Sequence, residues 1–262
     1  MSKTKKTTRQ TGSRRKQQFL LSEDSPFAVQ EAYKLLRTNL IFSTTEDKGK
    51  TVLITSSMQG EGKSTTAVNL GIAFAQNHSR VILIDCDLRL PTDASKLKVK
   101  NQPGITDVMI GINKLTDAIQ HLPTGLDFLA AGTIPPNPTE LLGSERMRQI
   151  LDALSNHYEY IIIDTPPVTT VSDAAILAKI VSGVVIVCKQ GVATQESVSE
   201  TLQKLSFSEA KVLGFVFNGV ANEKVTKYKS HYSYSYGYAH AHQNRSSSSS
   251  GGSRSSNDFE TI

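Results

Sequence analysis

The sequence predicts a doubly wound α/β domain on a mainly parallel sheet, and three observations point to it. Its apolar runs are short, continuous and β-branched rather than alternating, as in strands covered by helices on both faces. Helical stretches separate those runs, and such alternation builds a parallel sheet. A glycine-rich loop joins the first strand to the helix that follows it.

The elements follow in chain order. Ser25-Pro26 reads as a hydroxyl cap followed by proline at the first helical position. Phe27, Ala32, Tyr33, Leu36, Leu40 and Ile41 then recur at spacings that give one apolar stripe. Lys48-Gly49-Lys50 closes that helix region, and Thr51–Thr55 is a buried strand. Further strands are expected at Arg80–Asp85, Leu126–Ala130, Tyr160–Asp164, Val184–Lys189 and Val212–Asn218. Helices are expected near Ser64–Gln76, Ser144–Asn156, Val171–Ile180 and Ala193–Leu205.

Both ends differ in character from this body. Residues 1–18 hold seven basic side chains (Lys3, Lys5, Lys6, Arg9, Arg14, Arg15 and Lys16) and no acid. Taking those seven from the 29 basic residues leaves 22 against 24 acidic ones, so the net charge of +5 belongs to an arm. That arm is either a solvated leader or a contact for an anionic surface. No nucleic-acid motif accompanies it, so no nucleic-acid partner is expected. From Asn222 onward there is no apolar periodicity, only polar residues, tyrosines and a Ser/Gly tract, which reads as a tail. The expected organisation is a basic arm at 1–24, a domain at 25–221 opening with a helix at 25–43, and a tail at 222–262.

No apolar run approaches the ~18 residues of a membrane span, and Phe19-Leu20-Leu21 is too short for a signal-peptide core. Cys86 and Cys188 lie far apart with no Cys/His cluster, which suits a reducing compartment and gives no zinc site. A cytosolic protein is expected, at a membrane only where a partner holds it.

The chemistry concentrates after the first strand, in Ser56-Ser57-Met58-Gln59-Gly60-Glu61-Gly62-Lys63-Ser64-Thr65. Gly60 and Gly62 let backbone N–H groups approach a polyphosphate, and the helix behind them adds its N-terminal partial charge. In a P-loop of this kind Lys63 reaches the terminal phosphates of ATP and the Ser64 hydroxyl ligates Mg²⁺. The departure is Ser57, where the usual spacing places glycine.

Two later strands end in aspartate, where doubly wound sheets place their ligands. Ile84-Asp85-Cys86-Asp87-Leu88-Arg89 carries two acids on one side of an extended chain. Ile163-Asp164-Thr165-Pro166-Pro167 carries one. Such carboxylates either hold metal and take a proton from an attacking hydroxyl, or cap the next turn. Arg89 steadies phosphate charge or forms a surface ion pair. Cys86 reads as pocket lining rather than a nucleophile.

Together these segments resemble the bacterial tyrosine kinases, in particular the separate cytoplasmic kinases of Gram-positive capsule and exopolysaccharide operons. The resemblance runs from about Ser25 to Tyr238. It rests on SSMQGEGKST, VILIDCDLRLP, AAGTIPPNPTELLGSERM, IIIDTPP and the tyrosine-rich tail, five segments in order. It implies ATP- and Mg²⁺-dependent phosphorylation of tail tyrosines in trans, and control of polysaccharide synthesis and export. Lys63, Asp85 and Asp87 take the catalytic roles; Gly60, Glu61, Gly62, Lys63, Ser64, Thr65 and Asn218 bind ATP; Ser64, Asp85 and Asp164 hold the metal. It further implies a transmembrane activator that recruits the kinase to the inner membrane face, a cognate tyrosine phosphatase, and a homo-oligomeric ring. Glu31, Lys34 and Arg37 on the first helix match the ring-forming pattern, with Lys34 replacing an arginine. Gln59 stands where relatives usually carry proline.

Tyr228, Tyr232, Tyr234, Tyr236 and Tyr238 crowd eleven residues, five of the eight tyrosines in the chain. Their spacing fits an edge strand with one aromatic face, or a tether that enters a neighbour's active site. Five phosphotyrosines add roughly −8 to −10 charges, enough to reverse the net +5. Two rivals share the loop. A positioning or partition ATPase carries a signature lysine where Met58 stands, and a non-catalytic scaffold would not need the full set of acids.

Overall fold

The computed structural model describes residues 20–44 and 49–220. The basic arm through Phe19 and the tail from Ala221, with all five of its tyrosines, lie outside the described residues.

Helix α1 spans Phe27–Ser43. Pro26 occupies the N-cap position rather than the first turn. Ser25 does not cap α1; its Oγ receives the Ser22 N–H at 3.0 Å. The β1 strand (Lys50–Ser56) leads through the glycine-rich loop into α2 (Lys63–Ala75). After β2 (Val81–Asp85) come three short helices, α3 (Asp93–Leu97), α4 (Ile105–Met109) and α5 (Leu115–Ala118). A short hairpin pair, β3 (Ile119–His121) and β4 (Asp127–Leu129), follows. Next are α6 (Pro138–Leu142), α7 (Glu145–Ser155), β5 (Tyr160–Asp164) and α8 (Asp173–Leu177). The chain ends its described fold with β6 (Gly183–Lys189), α9 (Gln195–Ser206) and β7 (Val212–Asn218).

The sheet order is β3-β4-β2-β5-β1-β6-β7, parallel except for the β3–β4 pair. Doubly wound architecture is therefore what the sequence led one to expect. The differences are local. Strand β3 and the short helices α3 to α6 carry too few residues for periodicity to mark them. The helix expected at Val171–Ile180 is a single turn of α8 followed by a 3₁₀ turn at Ala178–Ile180.

Each central strand divides its side chains between two cores. Leu53, Ile82, Ile84, Ile161, Ile163, Val184 and Ile186 pack toward α7, α8 and α9. Val52, Ile54, Val81, Leu83, Ile162 and Val185 pack toward α1 and α2. Burial of each such side chain contributes about 1.5–3 kcal/mol, and burial on both faces explains the unbroken apolar runs.

Register positions the site. Strand β5 runs between β1 and β2, so Asp164 lies beside Asp85 on one side and Ile54 on the other. The loops leaving β1, β2 and β5 therefore emerge together at one sheet edge, the C-terminal ends of the strands.

Candidate functional site

The phosphate-type loop takes the shape its glycines allow. Gly60 and Gly62 have φ of +84° and +96°, in the region side-chain-bearing residues avoid. A Cβ on Gly62 would stand 2.1 Å from Asn218 Nδ2. Ser57 needs no such freedom. It is absent from the positive-φ positions of the described chain, and its buried carbonyl accepts the Thr169 hydroxyl. The serine at the usual glycine position is thus accommodated without backbone strain, with its hydroxyl buried and lacking a hydrogen-bond partner.

Two residues expected to touch nucleotide act on the loop itself. The Glu61 side chain is fully buried; its carboxylate receives the Met58 N–H at 2.7 Å and the Lys189 N–H at 3.4 Å. Asn218, at the end of β7, donates its amide to the Glu61 carbonyl at 2.9 Å. These contacts tie the loop to the ends of β6 and β7.

Above the loop lies a cavity of about 440 Å³ lined by Gly60, Gly62, Lys63, Ser64, Thr65 and Asp87, with Arg89, Lys96 and the Pro166-Pro167 turn around it. Helix α2 enters it without a side-chain cap or an acidic residue in its first turn. Its leading N–H groups and partial positive charge therefore face the cavity end of the helix.

Lys63 is buried among acids. Its Nζ lies 2.9 Å from Asp87 Oδ2, 3.7 Å from Asp164 Oδ2 and 3.2 Å from the Ser64 hydroxyl. Burial alone would push this ammonium toward neutrality, but Asp164 and Asp87 outweigh it and hold its pKa above the ordinary lysine value. Asp85 is fully buried, and its two oxygens receive the backbone N–H groups of Asp87 and Asp93 at 3.1 and 3.2 Å. Burial, followed by the nearby Asp164, pushes its pKa up to about 7. Asp164 is raised by its own burial, against the pull of Lys63. Neither of its oxygens meets a donor at full hydrogen-bond geometry, although the Ser64 hydroxyl is close enough to pull its pKa down in part.

Of the expected trio, Asp87 and Asp164 thus meet at Lys63, while Asp85 stands beside Asp164 through the β2–β5 register. The chain stays extended past β2, with Cys86 N–H donating to Asp164 O at 2.8 Å, so Asp85 and Asp87 share a side. Cys86 turns the other way. It is a core residue rather than pocket lining, and burial holds its thiol pKa well above the usual value.

Arg89 resolves into an ion pair of an unanticipated kind. Its Nε and Nη2 fork onto Asp173 at 2.8 and 3.0 Å, and Asp173 is fully buried at the start of α8. Thr139, within Pro135-Pro136-Asn137-Pro138-Thr139-Glu140, donates its hydroxyl to the same carboxylate at 2.7 Å. That proline-rich segment is in this way fastened to the end of β2.

Sequence reasoning missed Asp93, Lys96, Thr139 and Asp173. Asp93 is fully buried at the start of α3 and contributes to a group of three carboxylates, Asp85, Asp93 and Asp164, whose oxygens lie within 4.8 Å of one another. Only strand-terminal position marked an acid in the sequence, and Asp93 follows a loop.

On α1, Glu31 and Lys34 form an exposed pair at 2.7 Å. Arg37 turns inward instead and donates to the Ala73 carbonyl at 2.7 Å, at the C-terminal end of α2. The three residues do not share one free surface.

A family model described as an AAA domain matches residues 49–211. The chain is 37% identical to tyrosine-protein kinase YwqD of Bacillus subtilis (strain 168), over 83% of this chain and 92% of YwqD. It is 34% identical to tyrosine-protein kinase etk of Escherichia coli (strain K12), over 80% of this chain but 29% of that longer protein. The solved kinase domain of Escherichia coli ETK superposes with a TM-score of 0.72 at 33% identity, covering 78% of this chain and 83% of that one.

Proposed function

The chain belongs to the bacterial tyrosine-protein kinases, and from that premise we propose that it transfers the γ-phosphoryl group of ATP to tyrosine hydroxyls, among them its own tail cluster. The observation that carries the proposal is the meeting of Lys63 with Asp87 and Asp164 at the mouth of a glycine-shaped loop.

The N–H groups of Gly60–Thr65 and the Lys63 ammonium grip the terminal phosphates. Phosphoryl transfer asks the protein mainly for positioning and charge stabilisation, and these groups supply both. Asp87 accepts the proton of the attacking tyrosine hydroxyl once Lys63 turns to phosphate. Asp164, buried with neither oxygen held at full hydrogen-bond geometry, suits a cation, and the neighbouring Ser64 hydroxyl and Asp85 complete the set that would hold magnesium. That ion, when bound, offsets charge on the phosphate oxygens.

The acceptors are Tyr228, Tyr232, Tyr234, Tyr236 and Tyr238 of a neighbouring copy, which fits a kinase domain at 25–221 with a tethered tail. A ring of copies joined through the α1 region, a transmembrane activator, an opposing tyrosine phosphatase and a role in capsular or exopolysaccharide synthesis complete the reading. No described helix is long and apolar enough to cross a membrane; recruitment to the inner membrane face belongs to the same reading and is assigned to that activator. The rival reading as a positioning ATPase lacks its signature lysine, because Met58 fills that position.

Anti-phosphotyrosine signal from purified protein with ATP, Mg²⁺ and the activator's cytoplasmic segment tests the proposal, beside Lys63→Met and a truncation at Asn222. Signal in the wild type that both changes abolish supports it. ATP hydrolysis without phosphotyrosine overturns it.

A further inference from the structure

Asp93 joins the site from a loop, and its surroundings suit a cation better than a structural cap. Four carboxylates, Asp85, Asp87, Asp93 and Asp164, face two ammonium groups, Lys63 and Lys96. Once all six are ionised, as ligation of a metal by the carboxylates requires, the cluster carries a net charge of about −2, which one divalent cation offsets. One Asp93 oxygen lies 3.2 Å from Lys96 Nζ, while the other is buried without a hydrogen-bond partner. Asp164, 1% exposed, has no donor at full hydrogen-bond geometry for either oxygen, only the Ser64 hydroxyl nearby and Lys63 Nζ at 3.7 Å. Buried acceptors left this way are costly unless something else satisfies them.

Geometry points the same way. Asp85, Asp93 and Asp164 each offer an oxygen within 4.8 Å of the others. Around one octahedral ion with metal–oxygen bonds of ~2.1 Å, at most one of three ligand pairs is trans, at about 4.2 Å, and the others are cis, at about 3.0 Å, so the three carboxylates draw together by up to about 1.8 Å when the site closes. Magnesium in nucleotide enzymes usually leans on one or two carboxylates and takes its remaining ligands from water and substrate phosphate. A third buried carboxylate changes that balance.

We propose that Asp93 is a third carboxylate of the metal site, and that the trio lets this chain take up a divalent cation before any nucleotide arrives. The inference rests on the kinase reading of the same site. Lys96 then acts as a competitor, holding Asp93 until a cation displaces it.

The test is a titration of the full chain with Mn²⁺ and no nucleotide, followed by electron paramagnetic resonance of the free ion. One Mn²⁺ per chain is expected, with affinity at least tenfold weaker in Asp93→Asn and tighter in Lys96→Met. Absence of uptake by the wild type, or wild-type affinity in a folded Asp93→Asn, overturns the inference. Should Asp93→Asn fail to fold by its melting curve, Lys96→Met decides: tighter binding supports the inference and unchanged affinity overturns it. Phosphotyrosine formation without nucleotide-free Mn²⁺ uptake would sink this inference alone. Mn²⁺ uptake without phosphotyrosine would sink the kinase reading and leave the metal site standing.

Discussion

Lys63 Nζ and Asp87 Oδ2 stand 2.9 Å apart, both nearly buried, so the loop lysine and the strand-end acid neutralise each other. A phosphate entering the loop must compete with Asp87 for that ammonium, and success releases the carboxylate that the transfer step needs as a base. Asp87→Asn is therefore expected to keep or tighten nucleotide binding while lowering phosphotransfer by roughly 10²-fold or more. Fluorescent-nucleotide titration and single-turnover phosphotransfer separate the two effects. Weakened binding with an unchanged transfer rate would contradict this account.

Arg89 and Asp173 give a stability prediction. Removing the guanidinium leaves a buried carboxylate with the Thr139 hydroxyl as its remaining side-chain donor. Because Arg89 is 38% exposed, water moderates the loss. A cost of about 2 kcal/mol for Arg89→Met is expected, below the range for a wholly buried pair. That corresponds to a melting temperature lower by roughly 4–8 °C. Arg89→Lys should recover little, since an ammonium cannot fork onto both oxygens. Hydrogen exchange should rise in the segment from Pro135 to Leu142.

The pH dependence of stability has a definite sign in metal-free protein. The Asp85 pKa is raised from an ordinary 3.8 to about 7 on folding. Between roughly pH 4 and 7 the folded state thus binds more protons here than the unfolded state, and raising pH lowers stability across that window. In the presence of a chelator, Asp85→Asn should melt higher than wild type at pH 8, and the gap should narrow toward pH 4. A gap that widens toward acid would refute the assignment.

Gly62 and Asn218 form a coupled pair. Gly62→Ala forces an alanine to φ +96° and drives its Cβ against the Asn218 amide. The backbone conformation alone costs about 1–3 kcal/mol, and the collision adds to it. Asn218→Ala in the same chain should recover the collision but not the backbone cost. A thermal-melting double-mutant cycle reads that non-additivity. Strict additivity would place Asn218 elsewhere.

The legibility of each feature followed its locality. Strands β1, β2, β5 and β6 were visible because burial on both faces demands unbroken apolar runs. Lys63 and Ser64 were visible through the glycine-rich loop before α2, and Asp85, Asp87 and Asp164 because each sits at or just beyond a strand end, where topology sends ligands. Glu61 was placed with the nucleotide from its neighbours in sequence, and only the structure shows that its side chain accepts the Met58 N–H within the loop. The pattern of Glu31, Lys34 and Arg37 suggested one surface set, yet Arg37 is spent on the end of α2.

By itself the sequence determined the layered architecture, the phosphate loop and the strand-end acids, since periodicity, glycine freedom and strand termini act within a few residues of chain. Tertiary structure alone decided that β5 would lie between β1 and β2, and so bring Asp164 against Asp85. It also decided that Asp93 would be drawn into their company, that Asp173 would receive Arg89, and that Ser57 would be tolerated where glycine is usual. These outcomes depend on which distant segments are packed together, and carboxylates eighty residues apart interact only after the sheet has removed water from between them.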